Sequence, residues 1–225
     1  MKKKEIMRDA KNWYLKQSNY ASSRLINFIL QHAGKKILDV GCATGEYCRK
    51  LNGLGIECVG VDVNPEYVAR AKENGVEAYC MHAESLKFPD NSFDTILLFE
   101  LLEHVINPDH VLKEAKRVAR RNILISVPDC TGFFKLKEIG LTYEHMLEMD
   151  HINVFTRKDL ESLLSKHFKM FKVEERQPIV LGKIGLPWWL QKPISLLHKL
   201  KIIKTDIYCR LFAVVDIERA RMFRN

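Results

Sequence analysis

Lys36-Ile37-Leu38-Asp39-Val40-Gly41-Cys42-Ala43-Thr44-Gly45 is the stretch that decides the fold. Its first five residues read as a short buried strand, and Gly41 ends the run. A helix follows from Gly45, with Tyr47, Leu51 and Leu54 on one face and Gly53-Leu54-Gly55 as its stop. Ile56 to Val63 then forms a second strand. Strand, tight turn, helix and strand in this order form the repeating unit of a parallel sheet.

The alternation continues downstream. Asn64-Pro65-Glu66 starts a helix, since Asn caps free N–H groups and Pro suits the first turn, and Gly75 closes it. Glu77 to Met81 reads as a third strand, Phe93 to Phe99 as a fourth and Asn122 to Val127 as a fifth. Between the last two, a helix begins at Asn107-Pro108-Asp109 and turns Val111, Leu112, Ala115, Val118 and Ala119 inward. Thr156 opens a helix to about Lys166, Phe168 to Glu174 is a sixth strand, and Arg210 to Ile217 is the last. Upstream, Ile6 to His32 is helical with a break at Ser22-Ser23, and Gly34 stops it. The fold class is α/β: a doubly wound, mostly parallel seven-stranded sheet with helices on both faces.

The chemistry gathers at the first turn. Glycine there lets backbone approach a ligand that a Cβ would exclude. Asp62, 21 residues beyond Gly41, lies at the tip of the second strand, where a carboxylate accepts both ribose hydroxyls of an adenine nucleoside. A dinucleotide-binding oxidoreductase shares this plan but requires G-x-G-x-x-G, whereas position 43 is Ala and the next glycine is Gly45. Taken singly, Asp39 or Asp62 would more often be a cap or turn residue; their order and spacing carry the reading.

Ile37 to Gly45 resembles the first motif of the class I S-adenosylmethionine-dependent methyltransferases, in particular the small-molecule type. Gly60-Val61-Asp62-Val63-Asn64 is similar to the ribose motif. Ala83-Glu84, ahead of Phe88 to Asp94, is similar to the adenine-flanking segment, and Phe99-Glu100-Leu101-Leu102-Glu103-His104-Val105 to the fourth-strand tip. The likeness covers about Lys36 to Asp129 and implies a Rossmann-like methyltransferase fold with S-adenosylmethionine as cofactor and S-adenosylhomocysteine as product. It implies that Gly41 and Gly45, with Cys42 and Ala43 between them, meet the methionine part, and that Asp39 orients the turn or the amino group. It further implies that Asp62 binds ribose, that Val63 packs on adenine with Ala83 and Glu84 beside its edge, and that Phe99 and Glu100 face the sulfonium or amino end. Two departures stand out: Ala43 replaces a common Gly, and Arg120-Arg121 replaces a Pro-Gly-Gly turn.

On this resemblance the chain is a single methyltransferase domain over 1–225. N-terminal helices fill 1–34, the cofactor-binding half 35–129, and insertions or a lid on the acceptor side 130–155 and 178–209. Methyl transfer from a sulfonium is an in-line displacement, so alignment does most of the work. Where the acceptor is a hydroxyl, His151 or His104 is the candidate base, because histidine titrates near neutrality. A structural role is the weightier reading of His104, and helix-start contacts compete at His151. Glu144, His145, Glu148 and His151 lack a defined ligand spacing, so no metal is expected.

Six scattered cysteines with no C-x-x-C pair fit reduced thiols, and no secretory signal or spanning segment is read, so a cytoplasmic chain is expected. The net charge of +8 invites a nucleic-acid reading, but an N-P-P-Y-type motif and a Pro-Cys nucleophile are both absent. A small-molecule, saccharide or lipid-linked acceptor, methylated at oxygen, is favoured; a nucleic-acid methyltransferase and a non-catalytic nucleoside-binding or scaffold protein are the alternatives. Residues 181–203 combine Trp188-Trp189, aliphatic residues and lysines, the composition of a membrane-interface helix or a lid. Packing against the domain, or against the second subunit of a homodimer, is the weightier reading of that stretch.

Overall fold

The computed structural model describes residues 13–16, 20–130, 152–178, 188–200, 202 and 208–218. Its elements are α1 (Trp13–Lys16), α2 (Ser23–His32), β1 (Lys36–Val40), α3 (Glu46–Gly53), β2 (Glu57–Asp62), α4 (Pro65–Glu73) and β3 (Ala78–Cys80). There follow β4 (Phe93–Phe99), α5 (Pro108–Val118), β5 (Ala119–Pro128), α6 (Arg157–His167), β6 (Phe171–Pro178), α7 (Trp188–Lys199) and β7 (Tyr208–Asp216). Most of the expected 130–155 insertion, including His151 and the Glu144–His145–Glu148 group, lies outside the described residues.

The seven strands form one sheet in the order β3-β2-β1-β4-β5-β7-β6, parallel except that β7 runs antiparallel to both β5 and β6. The period-two alternation of side chains explains why both faces are covered. Leu38, Val40, Val59, Val61, Ile96, Leu98, Ile123 and Ile125 pack on Val111, Leu112, Ala115 and Val118 of α5 and on Leu160, Leu163 and Leu164 of α6. Their neighbours Ile37, Cys58, Leu97, Phe99 and Leu124 meet Leu25, Phe28 and Ile29 of α2, Cys48 and Leu51 of α3, and Val68 and Ala71 of α4. Each central strand therefore carries apolar side chains on both faces, with Asp39, Asp94 and Thr95 among the buried exceptions, which is why these segments read as runs rather than alternations.

Helix starts follow the expected chemistry: Asn64 and Asn107 accept from Glu66 N and His110 N, and Thr156 with Asp159 closes a reciprocal capping box. Several boundaries differ: β5 begins at Ala119 rather than Asn122, β6 runs on to Pro178 rather than Glu174, and β7 spans Tyr208–Asp216 rather than Arg210 to Ile217. Strand β6 begins at Phe171 rather than Phe168, because Phe168 caps α6, is buried, and packs under the Lys116 ammonium at 5.3 Å.

The Arg120-Arg121 departure has a structural role. Buried Asp94 accepts from Lys35 N at 3.0 Å, Lys36 N at 3.1 Å and Arg120 Nε at 2.9 Å, tying the start of β1 to β4 and β5. Burial alone would raise this carboxyl, but the Arg120 bond and the two backbone N–H groups outweigh it and hold it below its ordinary range. Arg120 is exposed, so its own share is small. Asp94→Ala should cost about 2–3 kcal/mol in urea unfolding, mostly from N–H groups left without an acceptor. Since the folded carboxyl ionises more readily than the unfolded one, this contribution is complete above the ordinary carboxylate range and is lost as pH falls from there through the lowered folded value. An Asp94→Ala variant whose stability and acid sensitivity match the parent would remove this account.

Candidate functional site

The turn after β1 is fixed by its own backbone and by two side chains. Gly41 N and Cys42 N both donate to Val61 O, at 2.8 and 3.0 Å, locking the turn to β2. Gly41, Ala43 and Gly45 have φ of +81°, +46° and +77°, so three of five residues are left-handed. A Cβ on Gly45 would press Ala71 and Val76 at 3.1 Å, so this glycine lets α3 approach α4; a Cβ on Gly41 would meet Leu101 Cδ1 at 3.0 Å across the turn. Ala43 occupies a conformation that favours glycine, at a cost of about 1–2 kcal/mol. Its N–H is used: it donates to Asp62 Oδ2 at 2.9 Å. Tyr20 donates to Cys42 O at 3.1 Å and accepts from Glu46 N at 3.2 Å, bracing the turn from the side of α2.

Asp62 receives one backbone bond on each oxygen, from Ala43 N to Oδ2 and from Asn64 N to Oδ1 at 2.8 Å. A carboxylate oxygen has two lone pairs, so each keeps one for a ligand. Burial raises this carboxyl, and the backbone bonds from Asn64, Ala43 and Val63 oppose the rise. Asp39 behind it is 2% exposed, and burial followed by the charge of Asp62 pushes it up to about 7, with the Cys48 thiol at 3.9 Å opposing.

In front of Asp62 opens a cleft of about 300 Å³ lined by Val40, Gly41, Val61, Asp62, Val63, Met81, His82, Ala83, Glu84, Leu101, Val105 and Ile106. Apolar walls with few polar groups form a small-molecule site, and its position over the tips of β1 and β2 is where doubly wound sheets bind ligands. A methyltransferase-domain family model matches residues 14–167. The chain belongs to the S-adenosylmethionine-dependent methyltransferases.

Two curated relatives illustrate the spread of the family. The chain is 31% identical over 100 residues to the ubiquinone biosynthesis O-methyltransferase of Bradyrhizobium diazoefficiens, covering 42% of this chain and 39% of that protein. It is 32% identical over 120 residues to the norajmaline N-methyltransferase of Rauvolfia serpentina, covering 45% and 41% respectively. The chain thus spans about two fifths of the length of these relatives. The crystal structure of a SAM-dependent methyltransferase from Archaeoglobus fulgidus superposes with TM-score 0.64 at 20% identity, over 86% of this chain and 91% of that one, which shows a shared fold.

Within this methyltransferase, Gly41, Asp62, Val63, Ala83 and Glu84 line the same cleft. Others stand behind it. Cys42 is buried against Gly60 on β2, where a Cβ would come within 2.6 Å of its sulfur. Phe99 turns into the core beside Tyr47 and Phe28, with ring centroids at 5.7 and 6.4 Å, rather than into the cleft. Glu100, at φ +49°, accepts from the Ser126 hydroxyl at 2.6 Å and pairs with Arg210 at 3.1 Å, so its charge ties β4 to β5 and β7. His104 is half-buried beside the lining residues Leu101 and Val105 and donates its N–H to Leu101 O at 2.9 Å. His151 lies outside the described residues, but Ile152 N and Asn153 N donate to Glu103 O at 2.8 and 3.0 Å. The Asn153 side chain donates to Leu102 O at 2.9 Å and Val105 O at 2.6 Å. Residues 152–153 are therefore clamped to the loop after β4.

Sequence reasoning missed Met81, His82, Leu101, Val105 and Ile106 as lining. The signal was adjacency: Leu101 and Val105 lie inside a quoted motif, and Met81, His82 and Ile106 lie within two residues of one. It also missed Tyr20 and Arg210, which reach the turn and Glu100 from distant positions and leave no local pattern.

Proposed function

We propose that this methyltransferase moves the methyl group of S-adenosylmethionine to an oxygen of a small-molecule, saccharide or lipid-linked acceptor. The observation that carries the reading is the Asp62 carboxylate, held at both oxygens by backbone N–H groups from the two lips of the cleft. A rigid acceptor pair of this kind fits a ribose diol, and the apolar walls fit a purine.

When bound, the cofactor supplies an electrophilic methyl on a sulfonium whose leaving group is neutral. Asp62 orients the sugar with its remaining lone pairs. Val63 and Ile106, both exposed on the rim, offer aliphatic contact for a flat ring, and Ala83 and Glu84 stand beside its edge. Gly41 carries no Cβ at the bend, leaving room for the amino-acid tail. The loop after β4, clamped by Asn153, holds the acceptor side in register, so alignment rather than strong acid–base chemistry lowers the barrier. Either His104 or His151 takes the hydroxyl proton as the bond forms.

A cytoplasmic location and, where two chains associate, a homodimer accompany this reading. Among the described residues, no helix is long and apolar enough to cross a membrane.

The test is transfer of labelled methyl from S-adenosylmethionine into fractions of a cell extract, with Asp62→Ala as control. Label should enter a small hydroxyl compound as an alkali-stable methyl ether, with loss in the control. Label entering an amine or nucleic acid would redirect the acceptor assignment, and no Asp62-dependent label in any fraction would remove the enzymatic reading.

A further inference from the structure

The connection from β6 to β7 carries the strongest unexplained surface of the described chain. Pro178 pairs with Tyr208, and Pro128 with Arg210, so this connection leaves the sheet at the edge where β5 ends. The parallel strands β1, β2 and β4 end at that same edge, which bears the cleft. Helix α7 lies in this connection and makes only slight contact with the other described elements.

Its face is unusual for a helix in water. Trp189, Pro193, Leu196, Leu197 and Leu200 recur at steps of three and four, so they share one side of the helix, and all five are exposed. Trp189 is 59% exposed, and Ile202, just beyond, is 67% exposed. The turn continues past the helix end, since Leu200 N donates to Leu196 O and Ile202 N to Leu197 O, both at 2.9 Å. These five exposed side chains are not packed onto the domain.

The charge along this stretch of sequence selects the phase. Between Glu175 and Asp206 there is no acidic residue in 30 positions, while Arg176, Lys183, Lys192, Lys199, Lys201 and Lys204 are cationic. An exposed apolar stripe with an interfacial Trp, in an acid-free basic segment, is complementary to a layer with apolar depth and anionic headgroups. A protein partner would need an equally apolar, acidic groove, and nothing in the described residues calls for one.

We infer that α7 is a peripheral docking helix for an anionic phospholipid surface. The inference concerns where the chain rests and is independent of the methyl-transfer reading. The full chain is mixed with vesicles of phosphatidylcholine and phosphatidylglycerol, or of phosphatidylcholine alone, and sedimented. It should bind the anionic vesicles, bind the neutral ones weakly, and release as salt rises from about 0.1 M to about 0.5 M. A Leu196→Asp, Leu200→Asp double variant should lose roughly tenfold or more in partition, and Lys192→Glu should lose severalfold. Thermal unfolding and affinity for S-adenosylmethionine should be unchanged in both, which separates lost docking from lost fold or lost cofactor site. Should the double variant unfold, Lys192→Glu carries the test alone. Equal partition of parent and Lys192→Glu, or no partition of the parent, overturns the inference. So does light scattering that finds a dimer dissociated by the same leucine changes, which would make this face a subunit interface.

Discussion

Asp62→Ala is expected to weaken S-adenosylmethionine binding at least about a hundredfold, read by calorimetry on the purified chain. Two hydrogen bonds from ribose hydroxyls to an ionised acceptor are worth about 1.5–3 kcal/mol each, so losing both reaches that figure. The substitution has a second effect, because Ala43 N and Asn64 N also lose their acceptor. Ala43 already holds a left-handed backbone, and without Asp62 Oδ2 its turn has less to keep it there. Asp62→Asn separates the two effects. Its amide oxygen still accepts from one N–H and from one hydroxyl, so affinity should fall between parent and Asp62→Ala, while the unliganded melt stays nearer the parent. Unchanged affinity in Asp62→Ala would place the cofactor elsewhere and take the proposed function with it.

The second large effect is on pH and stability through Asp39. Its carboxyl is buried behind the turn, and burial, then the negative charge of Asp62, raises it from an ordinary 3.8 to about 7. In the unfolded chain the group ionises near the ordinary value. Between the two values the folded state binds the extra proton, so the stability of the cofactor-free protein falls as pH rises through this window and levels off above it. A difference of this size corresponds to about 4 kcal/mol across the window. Asp39→Asn carries no titrating group there. Its unfolding free energy in urea should therefore hold between pH 5 and pH 8 better than the parent's, with the gap in favour of the variant growing toward the alkaline end. Parallel pH profiles for parent and variant would show that Asp39 is not protonated in the folded chain.

What was legible in the sequence follows from where the information is stored. Strands β1, β2 and β4 carry apolar residues on both faces; glycines bound β1, Gly55 and Asn64-Pro65 bound β2, and the Pro89-Asp90-Asn91 turn precedes β4, so their ends could be read along the chain. Asp62 was legible because its role depends on a fixed spacing from Gly41 through one helix. Phe99 was not, because strand-end position does not tell which face a side chain takes, and the aromatic ring went to Tyr47 and Phe28. Glu100 was read toward the cofactor, whereas Arg210, 110 residues later, and Ser126 hold it at the centre of the sheet's edge. Such partners are set by the insertion of β7 between β5 and β6, and a contact made by strand order leaves no trace in local pattern. The β6 boundary moved for a similar reason: Phe168 is apolar whether it opens a strand or closes a helix, and only Lys116 and the α6 cap decide.

The rim of the cleft bears on how long the protein lasts. Ile106 is 89% exposed and Val63 56%, the former more than any other large apolar side chain among the described residues. With a nucleoside lodged as proposed, both would be covered, and the loaded form would gain resistance to unfolding by mass action. A cell short of its methyl donor would then hold this chain with a greasy mouth open, the form that chaperones and proteases recognise. Abundance would track donor supply, and starvation would thin the pool of enzyme as well as slow it.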